Sequence, residues 1–137
     1  MQTSGEVAPM PVYGSTKSTD LSYEAAVEKV TNALKVEGFG VLTTIDVQQT
    51  LKQKLGVDFE HYLILGACNP QLAYQALQSE QEIGLLLPCN VIVYEAGGRT
   101  QVSVLDPERA LGITDNKLLT PIAQQAKEKL ERALAAV

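Results

Sequence analysis

The segment HYLILGACNP, from His61 to Pro70, decides the fold of this chain. Both alternating sets of positions between Tyr62 and Cys68 are apolar, which is typical of a strand buried on both faces near the centre of a sheet. Asn69-Pro70 follows directly and combines a good N-cap residue with a proline suited to the first helical position. We therefore predict a central strand that runs straight into a helix.

Strand and helix patterns alternate before this segment. Residues 12–17 predict a first strand, and the apolar spacing in residues 23–34 predicts an amphipathic helix. The alternation in residues 39–45 predicts a second strand whose odd-numbered residues share one face. Asp46-Val47-Gln48-Gln49 has the pattern of a capping box and predicts a short second helix.

After this segment the pattern ends in a hairpin and helices. Residues 85–88 predict an extended run, because Pro88 disfavours a helix there. Residues 91–95 and 100–105 predict two strands joined by a turn at Gly97-Gly98. Asp106-Pro107 predicts a short helix, and either Asn116 or Thr120 begins the last amphipathic helix.

These elements predict an α+β fold. The expected order is β-α-β-α-β-α-β-β-α, with a single curved, mainly antiparallel sheet of about five strands packed against helices. No spacer rich in Ser, Gly or Pro divides the chain. We therefore predict a flexible N-terminal lead at residues 1–11 and one domain at residues 12–137.

Composition narrows the class of protein. The chain has 137 residues, and 11 Lys and Arg against 16 Asp and Glu give a net charge of −5 without a basic stripe. This argues against binding to a nucleic-acid backbone. No apolar run is long enough to span a membrane, and no secretory signal pattern begins the chain. Two cysteines outside any CxxC or zinc spacing favour a reduced, cytoplasmic protein.

Two short strings carry the candidate site, Cys68-Asn69 after one strand and Cys89-Asn90 before another. If those strands are neighbours, the two pairs meet at one edge of the sheet. A thiol is a soft nucleophile or metal ligand, and an asparagine amide offers donors and an acceptor in a small volume. Asp106, at the end of a later strand, is a further candidate, although its role as a helix cap already explains it well.

Other chemistry has weaker support. The cysteines also fit a purely structural role, because free cysteine is among the most buried residue types. The single histidine, His61, lies beside Glu60, and a surface ion pair explains it. Signatures of hydrolases, phosphate-binding loops, zinc proteases and dinucleotide-binding folds are absent from the sequence. We therefore predict no metal site and no cofactor.

Two long strings carry a family resemblance: EGFGVLTTIDVQQTLKQKLGVDFEHYLILGACNPQLAYQAL and IGLLLPCNVIVYE. With Asp106-Pro107 and the helical tail, they resemble the domain-of-unknown-function 302 family. The resemblance implies a TATA-binding-protein-like α+β fold and a tendency to dimerise, with no established activity. Its motif residues correspond here to Gly66, Cys68, Asn69, Pro70, Pro88, Cys89, Asn90, Asp106 and Pro107.

The chain departs from that family pattern just before the central strand. Members often read Arg-Pro-Tyr-Arg there, whereas this chain reads Glu60-His61-Tyr62-Leu63. If those arginines bind an anion in other members, this chain lacks them, which argues against a shared anionic ligand.

Three functional hypotheses follow from these patterns. The first is a homodimeric module that binds a small molecule in a pocket near Cys68, Asn69, Cys89, Asn90 and Asp106. The second is a thiol-dependent redox or metal-handling protein that uses Cys68 and Cys89. The third is an assembly role through the final helix or an unpaired sheet edge.

Overall fold

The computed structural model describes residues 13–137, so the predicted lead at 1–11 and the start of the predicted first strand at Val12 lie outside the described residues. Five strands form one sheet, and they are β1 (Gly14–Thr19), β2 (Gly40–Asp46), β3 (Tyr62–Cys68), β4 (Cys89–Ala96) and β5 (Arg99–Leu105). Their order across the sheet is β1-β5-β4-β3-β2, and every neighbouring pair is antiparallel. The predicted α+β class with an antiparallel sheet is confirmed, and β3 lies inside the sheet.

The helices follow the predicted alternation with the strands. They are α1 (Tyr23–Val36), α2 (Val47–Leu55), α3 (Pro70–Ser79), α4 (Pro107–Gly112) and α5 (Thr120–Ala135), with short 3-10 helices at Gln81–Leu86 and Lys117–Leu119. Ser22, Asp46 and Asn69 accept hydrogen bonds from the first turns of α1, α2 and α3. Such caps satisfy amide groups that the helix itself leaves free.

One face of the sheet carries the core. Val91 and Val93 of β4 and Val102 and Val104 of β5 are fully or almost fully buried, and α1 and α5 pack over these strands. Burying each such side chain contributes about 1.5–3 kcal/mol. The apolar stripe of α5 is buried in the same core, so this face of α5 is not available to a partner.

A β-bulge at Leu42 corrects the prediction for β2. Val41 pairs with Ala67, whereas Thr43 pairs with Gly66, and Leu42 is the extra residue between them. Because Gly66 and Ala67 are adjacent on β3, Val41 and Thr43 face opposite sides of the sheet. The prediction that residues 39–45 alternate on one face is therefore wrong, since one extra residue reverses the alternation.

The segment before β4 also differs from the expectation. Residues 81–86 form a 3-10 helix, and the extended backbone begins at Leu87, with φ −120° and ψ 154°. Proline restricts the residue immediately before it, so it did not prevent a helical turn slightly further upstream. The peptide bond between Leu87 and Pro88 is cis.

The face opposite α1 and α5 is also partly apolar. Tyr62 lies opposite Tyr94 and Ile64 lies opposite Ile92, and the two tyrosine rings stack with their centroids 5.2 Å apart. All four side chains are half-buried. In the described part of the chain, the helices are too short or too polar to cross a lipid bilayer.

Candidate functional site

A cavity of about 360 Å³ lies where β3 ends and β4 begins. Its walls come from the ends of β2 and β3, from α3, from residues 84–89, and from α4 and α5. Sites for small molecules typically enclose about 300–1,000 Å³ between elements of secondary structure. The cavity is therefore large enough for a small ligand.

Three of the predicted site residues line this cavity: Cys68, Asn69 and Cys89. The pairing of Ala67 with Cys89 brings the end of β3 beside the start of β4. The strands are neighbours, as the prediction required, and this register places both cysteines at the same end of the sheet.

Asn69 is held by two hydrogen bonds. Its Oδ1 accepts from the backbone N–H of Leu72 at 3.2 Å, which caps α3. Its Nδ2 donates to the carbonyl oxygen of Glu37 at 3.4 Å, which ties α3 to the end of α1. The amide that borders the cavity is thus already engaged at both ends.

Asn90 and Asp106 do not line the cavity. Asn90 is one residue beyond Cys89 on β4, so it faces the other side of the sheet, where it lines a surface groove with Ile92 and Tyr94. Asp106 caps α4 by accepting from the N–H of Glu108 at 2.9 Å, and its other oxygen lies 3.2 Å from Lys127 Nζ. The structure therefore does not unite all five predicted residues.

Both thiols are half-buried and stay protonated at neutral pH. Burial raises the pKa of Cys68 above 9.0. Burial, followed by the nearby Cys68 thiolate, raises the pKa of Cys89 to about 11. Reactive cysteines have a pKa lowered by positive charge or by a helix N-terminus. Cys68 directly precedes the N-cap of α3, but burial raises its pKa instead.

The rest of the lining is apolar. None of the described residues that line the cavity is charged, and apart from the two cysteines its polar lining residues are Thr43 and Asn69. Sequence reasoning missed the leucines and alanines of the wall, most of which come from α3, α4, α5 and residues 84–87. Their periodicity signalled buried helix faces, but it does not distinguish a cavity wall from a filled core.

Residues 13–137 contain no group of three or more His, Cys, Asp or Glu side chains placed to hold a metal ion. Two thiols with raised pKa values remain at the cavity. Metal binding requires their deprotonation, which this environment opposes.

His61 belongs to a separate cluster. Its Nδ1 lies 2.6 Å from Glu95 Oε1, and its ring stacks on Tyr23 with the centroids 4.6 Å apart. The hydrogen bond with Glu95 raises the pKa of His61. The expected partner Glu60 is thus replaced by Glu95, since β4 pairs beside the start of β3.

Comparisons with known proteins agree with this fold. A family model described as "Domain of unknown function DUF302" matches residues 15–137. A solved structure, the "uncharacterized conserved protein DUF302 from Bacillus stearothermophilus", is 31% identical, with a TM-score of 0.86. The match covers 92% of this chain and 98% of that chain. A search of curated proteins finds no match.

Proposed function

The chain belongs to the DUF302 family, and from its cavity we propose that it is a cytoplasmic, homodimeric module that binds a small ligand beside Cys68, Asn69 and Cys89. The observation that carries the proposal is a half-open cavity of about 360 Å³ whose wall is almost wholly apolar. Apolar surface in contact with water is unfavourable, and an exposed apolar concavity often marks a binding site. A bound apolar molecule would cover that surface.

Ligand binding is favoured over thiol chemistry. A redox or metal-handling role needs thiolates at neutral pH, whereas burial raises the pKa of both cysteines. In this proposal the thiols serve as small apolar parts of the cavity wall. Asn69 shapes the wall by fixing the start of α3.

The test is native mass spectrometry of freshly purified, untagged protein. We expect a bound mass that is lost in Ala73→Leu, which enlarges a side chain in the wall, and kept in Gln75→Leu. Gln75 lies on the exposed side of the same helix and does not line the cavity. The proposal fails if no mass is bound and the apolar fluorophore N-phenyl-1-naphthylamine does not bind the wild type, or if Ala73→Leu binds as the wild type does.

We assign the dimer interface to the sheet face that carries Tyr62, Ile64, Ile92 and Tyr94. At the margins of that face, Tyr13 is 67% exposed and Ile45 is 49% exposed. Contiguous exposed apolar surface favours association. We expect the wild type to elute as a dimer in light-scattering chromatography and Ile92→Lys as a folded monomer. A concentration-independent monomer in the wild type contradicts the assignment.

A further inference from the structure

We propose that the ligand of this cavity is an uncharged molecule built mainly of a flexible hydrocarbon chain, with at most a hydroxyl or carbonyl as its polar group. This inference rests on the proposed function, because it names the ligand class of the same site. Three observations carry it: the charge of the wall, the engagement of its polar groups, and the character of its mouth.

The wall excludes a charged ligand. None of the described residues around the cavity is charged, so a buried carboxylate, phosphate or ammonium group would find no counter-ion. Moving an ionised group from water into such surroundings costs several kcal/mol unless it is paired. The net charge of the chain, −5, adds nothing that would attract an anion.

The polar side chains of the wall leave little to recognise a polar ligand. Leu72 and Glu37 occupy one acceptor site and one of the two N–H donors of the Asn69 amide, which leaves at most one donor for a neutral polar atom of a ligand. Both thiols are held protonated and are only weak donors. Thr43 pairs with Gly66, as Asn90 does from the next strand, so its side chain lies on the face of the sheet away from the core rather than in the cavity.

The mouth of the cavity is apolar as well. Leu42 and Leu77 line the cavity and are 68% and 41% exposed. Leu85, between the lining residues Gly84 and Leu86, is 81% exposed. The β-bulge is what directs Leu42 to this position, and bulges commonly re-aim a side chain beside a binding site. A chain longer than the cavity can therefore continue across apolar surface.

The experiment displaces N-phenyl-1-naphthylamine, an uncharged apolar fluorophore, with octanol, octanoate and octylamine. These competitors share one chain and differ in the head group. We expect octanol to compete at least about tenfold better than either ion, because only the ions lose hydration without a partner. Ala73→Leu should lower the affinities for the fluorophore and for octanol, and Gln75→Leu should leave both affinities unchanged.

The possible outcomes distinguish an error in the ligand class from an error in the proposed binding function. If octanoate or octylamine competes as well as octanol, and Ala73→Leu abolishes both, the cavity binds ligands but the ligand class is wrong. If neither the probe nor any competitor binds the wild type, the binding function itself is wrong.

Discussion

Cys68-Asn69 and Cys89-Asn90 are the same dipeptide, but the chain leaves a strand at the first and enters one at the second. After β3, the asparagine becomes the N-cap of α3 and borders the cavity with its cysteine. At the start of β4, strand alternation separates the pair, so Cys89 lines the cavity and Asn90 faces the other side. The role of each asparagine is therefore set by the direction of the chain.

The largest effect should come from the glycine that precedes the first pair. A Cβ at Gly66 would overlap Thr43 Oγ1 and approach Pro88 Cγ to 2.9 Å. Gly66→Ala should lower the free energy of unfolding by about 1–3 kcal/mol, as overpacking does. Urea denaturation measures this, with Gly40→Ala as the control, because a Cβ at Gly40 meets nothing within 4 Å. Equal stability of the two variants would contradict this prediction and show that β2 shifts to admit the added methyl group at little cost.

The next largest effect should be the difference in stability between variants of the two asparagines. Asn69→Ala removes a cap and the hydrogen bond to Glu37, and it should cost about 0.5–2 kcal/mol. Asn90→Ala, at an exposed strand position, should change stability by no more than about 0.5 kcal/mol. Urea midpoints of both variants check the contrast. A similar loss in both would contradict the roles assigned to the two pairs.

Asp106-Pro107 repeats the cap-and-proline arrangement of Asn69-Pro70. It therefore offers a second test of how much a helix cap contributes to stability. Asp106→Ala should cost about 1 kcal/mol through loss of the α4 cap. Asp106→Asn can keep the cap, and it loses the partly exposed ion pair with Lys127, for about 0–1 kcal/mol. If thermal unfolding finds the two substitutions equally costly, the ion pair matters more than the cap.

The smallest effect near neutral pH should be that of the thiols. Because the pKa of Cys89 is about 11 in the folded chain against an ordinary 9.0, the folded protein keeps a proton that the unfolded chain releases in this interval. This contribution to stability is complete below pH 9 and is lost as pH rises towards 11. Cys89→Ala should therefore lose less stability than the wild type across that interval.

Native alkylation provides a second measurement of the same contrast. Both thiols should react slowly at neutral pH, because the thiolate is the nucleophile. Rapid labelling of Cys89 at neutral pH would show that its burial is not maintained in solution.

Much of the fold could be predicted because local patterns and the final packing agree. Asn69-Pro70 and Asp106-Pro107 start helices as their capping chemistry requires, and β3 lies inside the sheet as its apolar character predicts. The bulge at Leu42 could not be predicted, since it depends on the register with β3 rather than on residues 39–45 alone.

The candidate site was only partly predictable for a similar reason. The cysteines and Asn69 stood out by composition, and the strand pairing brought them to one cavity. The cavity itself is a gap bordered by α3, α4 and α5 and by the end of the sheet. Such a gap has no local signature, because a leucine that fills a core and one that borders a void have the same spacing.

The order β1-β5-β4-β3-β2 also shapes how the chain is made. During synthesis β1 leaves the ribosome early, but its partner β5 is among the last strands to follow. Until then β1 has an unpaired edge, which is a template for association with other chains. Its sequence, GSTKST, has no large apolar side chain and carries a lysine, features that discourage such pairing. The strand that stays unpaired longest during synthesis is thus among those least prone to aggregate.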